Sequence, residues 1–402
     1  MRETKEGLET DFELEVTLGM NSLKFLHFAD LHLDTPFSSL GDGLKIQKQR
    51  RQDLYDVFDR IIDLAKREDA DIILISGDLY EHYYSKNSSI HYINRKFEEI
   101  PGIRVFIVPG NHDPYTQNSC YKNFEWSKNV FILSGNNPKI YIEDLNTCIY
   151  GAGFGCFHEK DGVLEDIGSV DKKRINLMLI HGTLDMNFKE NRYNPISSKE
   201  LASYGMDYVA LGHFHNRFEK IAENTPVYNP GSPEPLGFDE EGEHGVFIGR
   251  IVFVSEKEKK LDVRFERISK RQYRTLEIKS DCFSGDEQII DMINSNFEGQ
   301  EEGNNLINVI LRGYTAQGYR VNVKNIEGIL KDRFFYVTIK DETVPRYDYE
   351  ELMGDPGLMG LFVRKMLSMI ENTNSEKEKH LLMKAMQYGV EALEQGKVEV
   401  LF

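Results

Sequence analysis

MDYVALGHFHNR, residues 206–217, carries an apolar run straight into two histidines one residue apart, His213 and His215. The run MDYVAL reads as a buried strand. Two imidazoles where such a strand ends are either loop decoration or a pair aimed at one ion. The same pattern recurs along the chain. LKFLHF (23–28) runs into ADLHLD with Asp30 and His32, and DIILIS (71–76) runs into GDLY with Asp78. IRVFIV (103–108) runs into PGNHD with Asn111 and His112, and INLMLI (175–180) runs into HGT with His181. Loops at strand ends are where α/β sheets build sites, and here five of them deliver only oxygen and imidazole donors. Each short motif alone is weak. All five in order, each after a strand, point to a metal centre.

That donor set suits two divalent cations. Neighbouring cations repel each other, so a bridging carboxylate is needed, and Asp78 is the natural bridge. Carboxylate, imidazole and amide oxygen together suit borderline-hard ions such as Mn²⁺. Such a pair polarises a phosphoryl group, lowers the pKa of a shared water and steadies attacking and leaving oxygens. Glycines 77, 110, 182 and 212 flank the ligands and allow tight turns there.

Composition bounds the reading. The chain has 402 residues, 40% hydrophobic and 29% charged, enough for two or three globular domains. Its net charge of −17 argues against a protein that coats nucleic acid through a global positive field. Cys120, Cys148, Cys156 and Cys282 form no CxxC pair, so a disulfide framework is not expected and a reducing, cytoplasmic compartment fits. No run of 18 apolar residues suggests a membrane span. Residues 1–19 are acidic and read as a disordered leader rather than a signal peptide.

Further elements follow from periodicity. Leu54, Val57, Phe58, Ile61, Ile62 and Ala65 give one buried face to a helix over 47–68. A helix over 86–100 and strands at 148–153, 246–254 and 260–268 complete a layered α/β domain over residues 20–270. Residues 271–345 read strand, helix, strand, helix, strand, a small α+β unit. After a polar linker, two helices close the chain within 346–402. Asp355 before Pro356 is expected to cap the first, and Ser375 with Glu378 the second.

The strings HFADLHLDTPF, GDLYE, VPGNHDPY and ALGHFH make the chain resemble the calcineurin-like metallophosphoesterases, and within them the SbcD/YhaO-type DNA repair exonucleases. The resemblance covers about residues 23–270. It implies a two-sheet β-sandwich flanked by helices, with the metals at one edge. It implies that Asp30, His32, Asp78 and His215 hold one metal, and Asp78, Asn111, His181 and His213 the other. His112 would stabilise transition-state charge or protonate the leaving oxygen, and Asp113 would orient His112. Archaeal and eukaryotic relatives carry a histidine at the third position beyond the GD aspartate. Here Glu81 stands there, with His82 next, which leaves the role of both and the cleavage polarity open.

Residues 271–345 match the place of a capping domain that positions DNA. RFERISKRQYR offers Arg264, Arg267, Lys270, Arg271 and Arg274 as a phosphate-binding strip, or as an ordinary solvated strand edge. LKIQKQRRQ, with Lys45, Lys48, Arg50 and Arg51, reads as a solvated helix face. Six of the twelve methionines fall in the last 50 residues, suited to an irregular partner surface or to a self-packed hairpin. The resemblance implies docking there on an SbcC-like coiled-coil ATPase, with DNA as substrate; a homodimer stays open. The rival functions are a phosphodiesterase for small phosphate esters and a DNA-end-binding regulatory subunit.

Overall fold

A computed structural model describes residues 21–41, 44–135, 138–157, 170–185, 193–297, 303–316 and 318–395. The leader expected over 1–19 lies outside them. The chain divides into two compact units, Met1–Tyr273 and Arg274–Phe402.

The first unit opens with β1 (Ser22–Phe28), α1 (Leu44–Arg67), β2 (Ile72–Ser76), α2 (Asn87–Glu98), β3 (Arg104–Val108), α3 (Cys120–Asn123) and β4 (Val130–Ile132). It continues through β5 (Lys139–Ile142), β6 (Thr147–Ala152), β7 (Ile175–His181), β8 (Thr183–Leu184), β9 (Pro195–Ile196), α4 (Ser198–Tyr204) and β10 (Tyr208–Gly212). β11 (Phe218–Ala222), β12 (Thr225–Asn229), β13 (Gly245–Ser255) and β14 (Glu258–Arg267) follow. Two six-stranded sheets result, ordered β14-β13-β1-β2-β3-β4 and β11-β12-β10-β7-β6-β5. β1, β2, β3 and β4 run parallel, as do β6, β7, β10 and β12.

The central strands β1, β2, β3, β7 and β10 have few polar positions because both faces are covered. Leu23, Phe25, Leu74 and Phe106 of one sheet share a core with Leu177, Leu179, Tyr208 and Ala210 of the other. Alternate residues of the second sheet, Met178, Ile180, Val209 and Leu211, pack on the opposite face with Leu201 of α4. Outside the first sheet, Phe28 meets Phe58 of α1, whose ring packs edge-on against Phe97 of α2. All six residues expected on the buried face of α1 are buried. This two-sheet sandwich makes the C-terminal ends of β1, β2, β3, β7 and β10 neighbours, since those strands are adjacent and parallel within their sheets.

In the second unit β15 (Gln272–Phe283), which begins at the unit boundary, pairs with β16 (Asn305–Thr315), and β16 with β17 (Tyr336–Pro345). α5 (Asp286–Ser295) and α6 (Val323–Leu330) cover this sheet through Ile289, Ile293, Ile326 and Leu330. α7 (Tyr349–Met353), α8 (Leu358–Asn372) and α9 (Glu376–Gln395) follow. Val363 of α8 is buried against Met386 and Val390 of α9. A Cβ on Gly389 would meet the Phe362 ring at 2.1 Å, so glycine sets how closely these two helices approach. Asp355 does not cap α8. The helix begins at Leu358 after Gly357, and the Asp355 carboxylate accepts the Gly357 N–H at 2.7 Å. Ser375 does cap α9, accepting from Glu378 N at 3.3 Å, but the Glu378 carboxylate bonds Thr373 instead of completing the box.

Candidate metal centre

Each strand end turns sharply to present its side chain. Asp30, His32, Asp78 and His213 all take positive φ (52°, 48°, 51° and 104°), a conformation that non-glycine residues adopt at a cost and that clusters at functional sites. The turns are locked to each other: Asp30 N donates to Gly77 O at 3.1 Å and His32 N to Asp78 O at 3.0 Å. Crowding excludes side chains between them. A Cβ on Gly110 would lie 2.2 Å from Asp78 Oδ1, and one on Gly77, itself at φ 89°, 2.3 Å from His181 Nδ1.

The seven expected ligands converge. His32 Nε2 faces His215 Nε2 at 3.2 Å, and Asp78 Oδ2 lies 3.6 Å from His32 Nε2 and 3.3 Å from His181 Nε2. Asn111 Oδ1 sits between His181 Nε2 (3.0 Å) and His213 Nδ1 (3.1 Å). Asp30 accepts the His213 N–H with both oxygens, at 3.1 and 3.0 Å, and its carboxylate groups with His32 and His215 and with Asp78 and His181. Asp78 therefore stands between a group on the His32 side and a group on the His181 side, where a bridging carboxylate belongs.

The donor chemistry fits divalent cations. Three imidazoles have their remote nitrogen fixed: His32 Nδ1 by Glu81 at 2.8 Å, His215 Nδ1 by Glu240 at 2.6 Å, and His181 Nδ1 by the Ser76 carbonyl at 2.8 Å. Such acceptors hold the Nδ1–H tautomer and leave Nε2 as the inward lone pair. The electrostatics ask for positive charge. Burial alone would raise Asp78, yet His181, His32 and His112 hold it well below the carboxylate range. Burial opposes protonation of His181, but Asp78 and Asp30 raise it to about 9; at His215 burial is likewise outweighed, by Glu240 and Asp30, again to about 9. Burial and the neighbouring His181 charge push His213 down to about 3.

His112 is placed differently. Its Nδ1 meets Glu81 Oε2 at 3.1 Å and its side chain is half exposed, so that bond leaves Nε2 as the other ring nitrogen for a substrate oxygen. Burial opposes its protonation, but the Glu81 hydrogen bond and the Asp78 charge raise it to about 9. Glu81, whose role the sequence leaves open, thus spans His32 and His112 with its two oxygens. Its own carboxyl is held at about 2, burial being outweighed by the two histidines. His82 makes no such contact; its ring lies against Tyr83 and Phe157.

Asp113 corrects an expectation. Wholly buried, it makes no bond to the His112 ring. It accepts from Gly110 N (2.7 Å), Leu79 N (2.7 Å), Asp78 N (3.2 Å) and Tyr121 Oη (2.6 Å), tying the β2 and β3 loops together. Glu240 is a residue of this site that the sequence does not reveal. It accepts from Ser232 Oγ and Leu236 N as well as holding His215, and nothing in SPEPLGFDEE marks it from its acidic neighbours. Glu240→Gln keeps the shape and removes the charge behind His215. Losing such a partner typically weakens metal binding about 10–100-fold. Calorimetric titration with the metal should show that drop, and unchanged affinity would deny Glu240 the role.

The basic strip is also corrected. Arg271 is buried on Asp53 at 2.8 Å, and Lys270 Nζ bonds Asp53 and Asp56 at 2.9 and 2.6 Å. Arg264 pairs with Glu68 and Glu266. Arg274 lies over the Phe297 ring, while Arg267 is exposed on β14. Arg50, read as part of a solvated face, is wholly buried. Arg264, Lys270 and Arg271 are thus paired with the protein's own acids rather than held out for phosphates.

A calcineurin-like phosphoesterase family model matches residues 23–217. The chain is 29% identical over 241 residues to the uncharacterized metallophosphoesterase YhaO of Bacillus subtilis strain 168, covering 58% of each chain. It is 24% identical over 244 residues to the DNA double-strand break repair protein Mre11 of Methanopyrus kandleri, covering 55% of this chain and 52% of that one. The match thus spans little more than half the length of these relatives. Among solved structures, TT1561 of Thermus thermophilus is 13% identical with a TM-score of 0.36, covering 60% of this chain and 98% of that one. The phosphoesterase Yfce from E. coli is 13% identical with a TM-score of 0.27, covering 61% and 100%.

Proposed function

From the match of a calcineurin-like phosphoesterase family model to residues 23–217 we propose that the chain is a Mn²⁺-dependent phosphodiesterase of DNA, an exo- and endonuclease subunit in double-strand-break processing. The observation that carries this reading is the convergence of Asp30, His32, Asp78, Asn111, His181, His213 and His215 around Asp78, with His112 beside them and held by Glu81. Asp30, His32, Asp78 and His215 would hold one cation, and Asp78, Asn111, His181 and His213 the other. When bound, the cations would supply Lewis-acid activation of water and of the phosphoryl group. The mixed carboxylate, imidazole and amide donors favour Mn²⁺. His112 Nε2 gives a proton to the leaving oxygen, while Glu81 fixes its ring and tautomer. DNA as substrate is supported by the name of the Mre11 relative and by the nuclease-type strings of the sequence.

Labelled duplex, single-stranded and hairpin DNA with Mn²⁺, beside bis(p-nitrophenyl) phosphate, test the reading. Cleavage of DNA supports it. Hydrolysis of the small diester alone favours a small-ester enzyme, and end binding without hydrolysis a regulatory subunit.

The C-terminal helices extend the proposal to a partner, a coiled-coil ATPase. Leu358, Leu361, Leu381 and Met383 are 66%, 59%, 66% and 53% exposed on α8 and α9, more apolar side chain than a solvated hairpin needs. Deleting residues 346–402 should leave hydrolysis of the small diester nearly unchanged and abolish co-purification with the ATPase. Loss of both, with a lower melting temperature, would make the helices part of the core. A full-length dimer that the deletion turns into a monomer would make them a homodimer contact. A cytoplasmic location accords with four cysteines spaced too widely for a CxxC pair. Among the described residues no helix is long and apolar enough to cross a membrane.

A further inference from the structure

An exposed aromatic pair borders the catalytic loop. Tyr83 is 74% exposed, yet its ring is stacked on Phe157 at 4.9 Å with 19° between planes. The His82 ring meets both edge-on, at 5.4 Å from each, and braces the stack from one side. The stack is anchored to the reaction site through the backbone: His82 N donates to His112 O at 3.1 Å, and Glu81, one residue before, holds the His112 ring. Tyr84 N donates to Glu81 O at 3.1 Å, and Ser85 N to the same carbonyl at 2.8 Å, so the loop is a closed turn rather than a loose strand. A large aromatic ring held rigid at a solvent-facing position costs hydration and contributes little to the fold. At the edge of a phosphodiesterase centre it offers a flat apolar face beside the bond to be cut.

We propose that Tyr83, backed by Phe157, is a stacking platform for a nucleobase next to the scissile phosphate. The proposal rests on the DNA reading above and names how that substrate is gripped. It also adds to that reading: Arg264, Lys270 and Arg271 of the basic strip are taken up by the protein's own acids, and aromatic stacking provides a sequence-tolerant grip because every base has a π-face. Tyr83 is a positioning residue. It would act on substrate binding and registration, while proton transfer belongs to His112.

The test uses the full chain with Mn²⁺ and a single-stranded oligonucleotide, intact or carrying one abasic residue scanned across the positions flanking the cut. Tyr83→Ala should raise KM for the intact strand roughly 5- to 150-fold, the range that a stacked base represents, with little change in kcat. Tyr83→Phe should restore it. For the wild type, one abasic position should carry a similar penalty, and that penalty should vanish in Tyr83→Ala, because protein and base then no longer have an interaction to lose. Equal abasic penalties in wild type and Tyr83→Ala would overturn the platform while leaving the nuclease reading intact. Failure of the wild type to cut any DNA while hydrolysing bis(p-nitrophenyl) phosphate would overturn the DNA reading itself, and the platform with it.

Discussion

His112→Gln should lower kcat on a phosphodiester by about 10² to 10⁴, the usual weight of general acid catalysis, while metal content stays at the wild-type level. Asp78→Ala should reduce activity to background by emptying the site. The contrast follows from what each side chain touches. Asp78 Oδ2 lies within 3.6 Å of His32 Nε2 and His181 Nε2, one imidazole from each proposed ligand set. Its other oxygen accepts the His112 N–H at 2.8 Å, so its removal also frees the loop that carries the acid. His112 instead directs Nδ1 to Glu81. Gln at 112 keeps the backbone N–H to Asp78 and loses only the proton-transferring ring. Chelation should abolish wild-type activity, and Mn²⁺ should restore it. Elemental analysis of both variants decides the matter: if His112→Gln lost metal as readily as Asp78→Ala, the division of roles would fail.

Why these groups were legible in the sequence is a matter of period and place. A parallel strand buried on both faces leaves a continuous apolar run, and the first polar residues after it must sit at the sheet edge. LKFLHF, DIILIS, IRVFIV, INLMLI and MDYVAL therefore marked the site as well as the sheets. Short edge strands such as Lys139–Ile142 and Phe218–Ala222 lack that run, being half exposed, and gave no comparable pattern. What escaped was long-range pairing. Glu240 reaches His215 across 25 residues. Asp113, one residue from His112, holds the β2 loop rather than its neighbour's ring, because backbone N–H groups buried at Asp78, Leu79 and Gly110 need an acceptor more than an exposed imidazole does. Lysines and arginines are the least readable of all, since the acids that neutralise them come from distant segments.

Arg50 and Arg271 show this best, and they carry the largest stability effect expected in the molecule. Arg50 Nη1 bonds Asp53 at 2.9 Å and Glu234 at 2.5 Å, and its Nη2 bonds the Pro235 carbonyl at 2.7 Å. Arg271 and Lys270 converge on the same Asp53 carboxylate at 2.8 and 2.9 Å. Replacing a whole buried ion cluster with apolar residues can be neutral, but removing one member leaves charge buried without compensation, typically costing about 3–5 kcal/mol. Asp53→Ala takes a carboxylate from two guanidinium groups at once, with Arg50 keeping Glu234. In a chain of this size the melting temperature should drop by roughly 6–20 °C. The effect has a pH signature. Burial alone would raise Asp53, but Arg271, Lys270 and Arg50 hold it at about 2, against 3.8 for a free carboxyl. A carboxyl depressed on folding stabilises above its unfolded pKa and loses that contribution as pH falls toward its folded one. The stability gap between wild type and Asp53→Asn should therefore be constant above about pH 4 and close between about pH 4 and 2. A gap that stays open to the acid end of that window would mean the carboxylate's charge is not what holds the cluster. Glu234 lies six residues before Glu240, in the segment that positions His215, so the same variant should weaken metal binding as well. A stable Asp53→Asn protein with unchanged metal affinity would confine the cluster to a purely local role.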